Sequence, residues 1–357
     1  MKNNTAKLKI TICGYYGFGN LGDELILSHL CKTLHSTTNT SVKLFILSNS
    51  PKETQKTHKV KVFNRFNPFT VFFAIMRSGV FLLGGGGIIQ DKTSSASLYY
   101  YLTLCLLAKL LGKEVIVFAV GVNPLKKFNR TICSMVLNMS KCVIVRDKFS
   151  YDYLKKIGVG TKNLTLGVDP VFTQPITKAK SKPNQVLFVL RKQESITGLD
   201  GAIANFASFV YKKTLTPVTL GYFQKTDFEF CKNISELLPN DVKQGNALEF
   251  SFENLNLFSN VNFVLTQRYH GAVLAIKAGI PFIALSDDEK LVEIAREFSQ
   301  FVVSPSALNC ADSLTKAFDV LWQNYTTYSQ NIEYAGSELE PKARQATEFL
   351  YRCVNLI

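Results

Sequence analysis

The sequence predicts an α/β protein built on two doubly wound parallel sheets. Short runs rich in Val, Ile, Leu and Phe alternate with longer helical patterns almost from end to end. The apolar runs are continuous, as expected of strands covered on both faces. The 357 residues exceed one hydrophobic core, and a polar stretch with two prolines breaks the pattern near its middle.

The elements follow in order. LKITIC (8–13) reads as a strand and DELILSHLCKTLH (23–35) as the helix after it. KLFIL (43–47) and HKVKVF (58–63) read as strands, and NPFTVFFAIMRS (67–78) as a helix. VFLLG (80–84) is a strand ending in glycine, followed by the helix SASLYYYLTLCLLAKLLG (95–112) with Gly112 as its stop. EVIVFAV (114–120) is a buried strand, RTICSMVLNMS (130–140) a helix, KCVIVRD (141–147) a strand and SYDYLKKIG (150–158) a helix; NLTLGVDP (163–170) closes the series. TQPITKAKSKPNQ (173–185) has no periodicity and reads as an interdomain linker. Alternation resumes with QVLFVLR (185–191), AIANFASFVYKK (202–213), PVTLGYF (217–223), FEFCKNISELL (228–238), NVNFVLTQR (260–268), YHGAVLAIKAG (269–279), PFIAL (281–285) and DEKLVEIAREF (288–298). Two helices near 310–324 and 336–350 end the chain. The expected organisation is a Rossmann-like domain over 1–173, a second over 185–330 facing it across a cleft, and a carboxyl-terminal helix, 331–357, packing back on the first domain.

Lys and Arg outnumber Asp and Glu by 41 to 27, a net charge of +14. That balance favours anionic partners such as phosphates, acidic sugars or a membrane surface. The lysines are dispersed, and nucleic acid is not the expected partner. Eight cysteines show no CxxC and no tight Cys/His cluster, so reduced thiols in a cytosolic setting are expected, with no metal site. The first residues lack the apolar core of a leader peptide. LYYYLTLCLLAKLLG (98–112) is too short and too charged to span a bilayer.

In doubly wound sheets ligands sit at the carboxyl ends of strands, so the loops there carry the function. GYYGFGNLGDE (14–24) has the spacing GxxGxGxxG, which is not the dinucleotide fingerprint. Its Asn20 and Asp23 address a hydroxylated ligand; Asp23 and Glu24 also suit a helix start. GGGGIIQDKTSSAS (84–97) exposes bare backbone at Gly85 and Gly86 for a ligand or loop to lie against, followed by Gln90, Asp91, and Ser94 or Ser95 as helix cap. Arg146 in VRDKFS either anchors a phosphate or forms a salt-bridging cap. In LTQRYHG (265–271), Arg268 supplies a fork for carboxylate or phosphate and His270 a group titrating near neutrality. Arg191 ends the first strand of the second half as a matching cation.

Taken together, GYYGFGNLGDE, GGGGIIQDKTSSAS, LLAKLLGK, AVGVNP, VRDKFS, GVDPVF, RYHG and SDDEK, in this order from residue 14 to 290, resemble the polysaccharide pyruvyl transferase family. The branch most resembled pyruvylates cell-wall polymers for S-layer attachment. The resemblance implies a GT-B-like fold. It also implies transfer of the enolpyruvyl carbons of phosphoenolpyruvate onto two hydroxyls of one sugar, forming a cyclic ketal and releasing phosphate. The implied acceptor is a lipid-linked disaccharide containing N-acetylmannosamine, met at the inner face of the cytoplasmic membrane, and no cofactor is implied beyond the donor. Three positions depart from the family pattern. RYHG has Tyr269 where the family has Leu, and SDDEK keeps Lys290 but has Asp287 and Glu289 where Tyr and Pro are usual.

On this reading Arg268, Lys290 and Arg191 hold the donor, His270 delivers the proton, and Asp23 or Asp91 removes protons from the sugar. The aromatic helix at 67–78, preceded by Lys59, Lys61 and Arg65, is either core or a contact with the membrane surface. Two other readings compete: a nucleotide-sugar glycosyltransferase of the same fold, and a non-catalytic glycan-binding protein, which would have no need of Arg268 and His270.

Overall fold

The computed structural model describes residues 8–35, 42–92, 94–176, 184–193 and 196–354. Most of the sequence-read linker, at 177–183, and the amino-terminal residues 1–7 lie outside them. The chain divides into two compact units, residues up to Thr173 together with Pro341 onward, and Gln174–Glu340.

The first unit runs β1 (Leu8–Cys13), α1 (Leu21–His35), β2 (Val42–Ser48), α2 (Pro51–His58), β3 (Lys61–Asn64), α3 (Pro68–Met76), β4 (Val80–Ile89), α4 (Ser95–Leu110), β5 (Glu114–Val122), α5 (Lys127–Asn138), β6 (Cys142–Val145), α6 (Lys148–Lys156) and β7 (Leu164–Leu166). Its seven strands are parallel in the order β3-β2-β1-β4-β5-β6-β7. The central strands are buried on both faces, which is why they read as unbroken apolar runs. Helix starts are written locally. Asn67 accepts from the amides of Phe69 and Thr70 with Pro68 beside it, Ser94 accepts from Ala96, and Asp147 accepts from Ser150.

The second unit runs β8 (Gln185–Leu190), α7 (Leu199–Thr214), β9 (Val218–Tyr222), α8 (Phe228–Leu237), β10 (Leu248–Glu249), β11 (Val261–Thr266), α9 (Tyr269–Ala278), β12 (Phe282–Leu285), α10 (Glu289–Glu297), β13 (Phe301–Val303), α11 (Cys310–Gln323) and α12 (Tyr325–Cys353). Its sheet is parallel in the order β10-β9-β8-β11-β12-β13. Phe188, Phe206, Phe263 and Phe318 stack and cross in its core.

Several elements differ from the sequence reading. α2, PKETQKTH, has no apolar stripe; of its side chains only Thr54 is buried, and its signal was the Ser50-Pro51 start. The edge strands β10 and β13 span two and three residues, too few to show a periodicity in the sequence. α12 begins at Tyr325 and is continuous through Pro341. The unit boundary falls at Glu340/Pro341 rather than at 330/331, because the first part of α12 packs on α9: a Cβ on Gly336 would stand 2.4 Å from Ile276 O, and Lys277 pairs with Glu340. The last part joins the first unit, where Tyr351 Oη donates to Thr33 O at 2.9 Å.

Candidate functional site

Each sheet reverses its strand order once, between β1 and β4 in the first unit and between β8 and β11 in the second. The carboxyl ends at such reversals are where open α/β sheets bind ligands. The residues singled out by sequence lie on these two edges.

In the first unit the loop after β1 is closed by its own groups. Gly17 N donates to Glu24 Oε1 at 2.7 Å, and Glu24 N donates to Asn20 O at 3.1 Å. Gly17 has φ +77°, and a Cβ there would lie 2.1 Å from Ser48 Oγ, so no other residue fits this turn without displacement. Burial pushes the Glu24 carboxyl up to about 7 against the opposing pull of the Gly17 amide. Asn20 is half-buried just before α1, and Asp23 is buried on the helix.

The glycines of β4 require a correction. The sequence reading gives them a ligand or another loop to lie against; in the structure Gly85 and Gly86 meet a helix. β4 continues through them to Ile89, and of the four only Gly87 is exposed. A Cβ on Gly85 would stand 2.2 Å from Ile26 Cγ2, and one on Gly86 2.0 Å from Asp23 Oδ1. Both have left-handed backbones, φ +60° and +87°. α1 therefore sits directly on bare strand backbone, and the glycines place Asp23 against Gly86.

Asp91 is buried and holds the start of α5: its Oδ2 accepts from Lys126 N at 2.9 Å and from Asn129 Nδ2 at 2.6 Å. Gln90 Oε1 accepts from Lys92 N at 3.0 Å, and Ser94 is the cap of α4. Of the two readings left open for Arg146, the structure displays the ion pair. Its Nη1 lies 3.3 Å from Asp169 Oδ2 and its Nε 3.5 Å from Asp147 Oδ2. Beside it, Ala119 takes φ +54° where the β5–β6 register shifts, an uncommon backbone for a side chain and a mark of local constraint at the strand end.

Arg65 also stands on this edge; the sequence reading named it only as a cation preceding the aromatic helix. It is buried, donates to Gly14 O at 2.5 Å and to Tyr101 Oη at 3.1 Å, and has the rings of Phe18, Phe66, Tyr100 and Tyr101 within 4.6–5.5 Å of its guanidinium carbon. Its charge is thus met by aromatic faces and by the carbonyl that ends β1.

In the second unit Arg191 follows β8, Arg268 and His270 follow β11, and Lys290 follows β12; these are three adjacent strands. Thr266 Oγ1 donates to Arg268 O at 2.9 Å, and a Cβ on Gly271 would reach Thr266 Oγ1 at 2.2 Å. The tight turn and close docking of α9 fix where Arg268 and His270 emerge. His270 is buried, its ring perpendicular to that of Tyr269 at 5.4 Å. Arg268 pairs with Asp227 and donates to Gln224 Oε1 at 3.3 Å. Both partners lie after β9, where only an acid past a strand end could have drawn attention to them. Lys290 is buried in the first turn of α10, which Asp288 caps, and Asp287 accepts from Ser306 Oγ at 3.0 Å. Arg191 is exposed, with its amide donating to Gln267 Oε1 at 3.0 Å.

Among the described residues, no three His, Cys, Asp or Glu side chains gather to hold a metal ion, and no helix is long and apolar enough to cross a membrane.

Solved structures share this fold over nearly the whole chain. S. aureus MnaA in complex with UDP superposes with a TM-score of 0.70 at 13% identity, covering 98% of both chains. UDP-GlcNAc 2-epimerase from Neisseria meningitidis, bound to UDP-GlcNAc, gives 0.63 at 14% identity over 97% of this chain and 99% of its own. A glycosyltransferase from Rickettsia africae gives 0.64 at 12% identity over 98% and 99%. At such identities the likeness establishes the architecture, that of GT-B sugar-processing enzymes. No curated protein matches the sequence. The sequence profile described as polysaccharide pyruvyl transferase matches residues 20–289, a span that begins in the glycine loop after β1 and ends beside Lys290. The chain belongs to the polysaccharide pyruvyl transferase family.

Proposed function

We propose that the protein transfers the enolpyruvyl carbons of phosphoenolpyruvate onto two hydroxyls of one sugar in a lipid-linked cell-wall-polymer precursor. The observation that carries the reading is the clustering of Arg191, Arg268, His270 and Lys290 on three adjacent strand ends at the reversal of the second sheet. Phosphoenolpyruvate bears a carboxylate and a phosphate, and two arginines and a lysine match that pair of anions. Asp227 pairs with Arg268 and would share the fork with the donor's carboxylate.

His270 protonates the methylene carbon, which becomes a methyl group and leaves an oxocarbenium-like centre. One sugar hydroxyl adds to that centre and loses its proton. The C–O bond to phosphate then breaks, the second hydroxyl adds, and its proton balances the released phosphate. The candidate for taking protons from the sugar hydroxyls is Asp23. Asp91, already committed to the start of α5, serves that loop's geometry. The N-acetylmannosamine acceptor and the S-layer setting rest on the motif resemblance.

The test is phosphate release from phosphoenolpyruvate with an aryl-linked β-N-acetylmannosaminyl disaccharide as acceptor. Acceptor-dependent release that His270→Ala lowers by at least about 100-fold is expected. Silence across a panel of acceptors, with no rise in melting temperature on adding phosphoenolpyruvate, sinks the reading. A melting-point rise with UDP-sugars alone would favour the nucleotide-sugar reading, which the UDP-bound neighbours keep in view.

A further inference from the structure

We propose that α3 and the adjoining end of α4 dock the first unit onto a bilayer carrying anionic lipid. α3 is apolar on both sides. Val71, Ala74 and Ile75 are buried in the core. Phe69, Phe72, Phe73 and Met76, at helical spacings of three and four, form the opposite stripe. Phe69 is 82% exposed, Phe72 42% and Met76 45%, and Phe66 just before the helix is 63% exposed. A helix apolar all round is normally buried in protein or lipid, and the packed core covers only half of this one.

α4 lies beside it. The Phe66 and Tyr100 rings are 6.4 Å apart at one end, and Lys113 Nζ donates to Met76 O at 2.8 Å at the other. α4 adds exposed Leu106 and Leu110 to the apolar surface.

Charge selects the occupant. From Glu53 to Glu114 the only intervening acid is Asp91, which is buried. Lys59, Lys61, Arg77 and Lys109 are exposed around the two helices, and Lys113 closes the end of α3. An apolar face flanked by cations suits lipid headgroups of negative charge, with the aromatic rings entering the boundary between headgroups and acyl chains. A second copy of the chain would bring the same cations against themselves. The inference deepens the acceptor reading above, since an acceptor carried on lipid is met at a bilayer, but its test needs no substrate.

The full chain is sedimented with vesicles of phosphatidylglycerol and phosphatidylcholine, and with phosphatidylcholine alone. Binding to the mixed vesicles is expected to fall at least about tenfold without the anionic lipid, and again in high salt. Phe69→Ser with Phe72→Ser should lower partitioning at least about tenfold while leaving the melting temperature and turnover of a water-soluble acceptor unchanged. Equal partitioning of parent and double variant overturns the proposal. So does a concentration-dependent dimer that the double variant dissolves, which would make the face a contact between copies. Loss of turnover in His270→Ala with vesicle binding intact keeps the two readings separable.

Discussion

Glu24 and His29 both lie on α1 and carry opposite pH dependences. The Glu24 carboxyl is raised by burial to about 7. Between about 4.5 and 7 the folded state therefore holds a proton the unfolded chain has lost, and stability falls as pH rises, by up to about 3 kcal/mol. His29 is buried between Thr173 and Thr347, each 3.0 Å from a ring nitrogen, and burial lowers it to about 4. Between about 4 and 6.5 the unfolded chain binds the extra proton, so stability falls as pH drops, by a similar amount. The two contributions offset one another near pH 5–6. Glu24→Gln should gain on the parent as pH rises through 7, and His29→Gln should lose less than the parent on acidification. Melting curves from pH 4 to 8 would show it, and parallel curves for all three proteins would exclude both assignments.

The fit of α1 onto β4 is an interaction between elements, and its prediction belongs to the pair. Gly85→Ala meets Ile26 and a left-handed backbone, and should cost roughly 2–4 kcal/mol. Adding Ile26→Ala removes the closest clash, with Cγ2, but not the backbone strain, so it should restore part of the loss, about 1 kcal/mol or more, in a double-mutant cycle by denaturant unfolding. Strict additivity would mean that the glycine serves something other than helix docking. Here the sequence reading saw a real constraint and left its cause between a ligand and another loop; the structure puts the preceding helix there. Four glycines in a row do require a close neighbour; a run of residues carries no information on whether that neighbour is a ligand or the preceding helix.

Across the whole chain, all eight cysteines are free and buried. Burial pushes the thiols of Cys13 to about 11 and of Cys31, Cys133 and Cys231 to about 12. The native protein should resist a thiol reagent at pH 8, whereas the unfolded chain should consume eight equivalents. Cys353, whose thiol is pulled down by its hydrogen bond with Cys142 near the end of α12, should be the first to react. Rapid reaction of a thiol in either core, Cys105 or Cys231, would show those cores opening more readily than their packing implies.

The alternation of apolar strands and helices, the caps at Ser94 and Asp147 and the glycine stop at 112 are local physics. Strand burial, capping and backbone freedom act within a few residues, so the sheet class and most element positions follow from the chain as written. The placement of Arg191, Arg268, His270 and Lys290 past strand ends was legible for the same reason. Their gathering on one edge required the strand order β8-β11-β12, and the Asp227 and Asp169 partners of Arg268 and Arg146 come from strand ends 41 and 23 residues away. Such pairings depend on which strands lie side by side, a property of long-range packing that no local pattern encodes. The burial of Arg65 among four rings and the exposure of Phe69 and Phe72 have the same origin: residue type states what a side chain prefers, and the assembled sheet decides which face of its helix the core can cover.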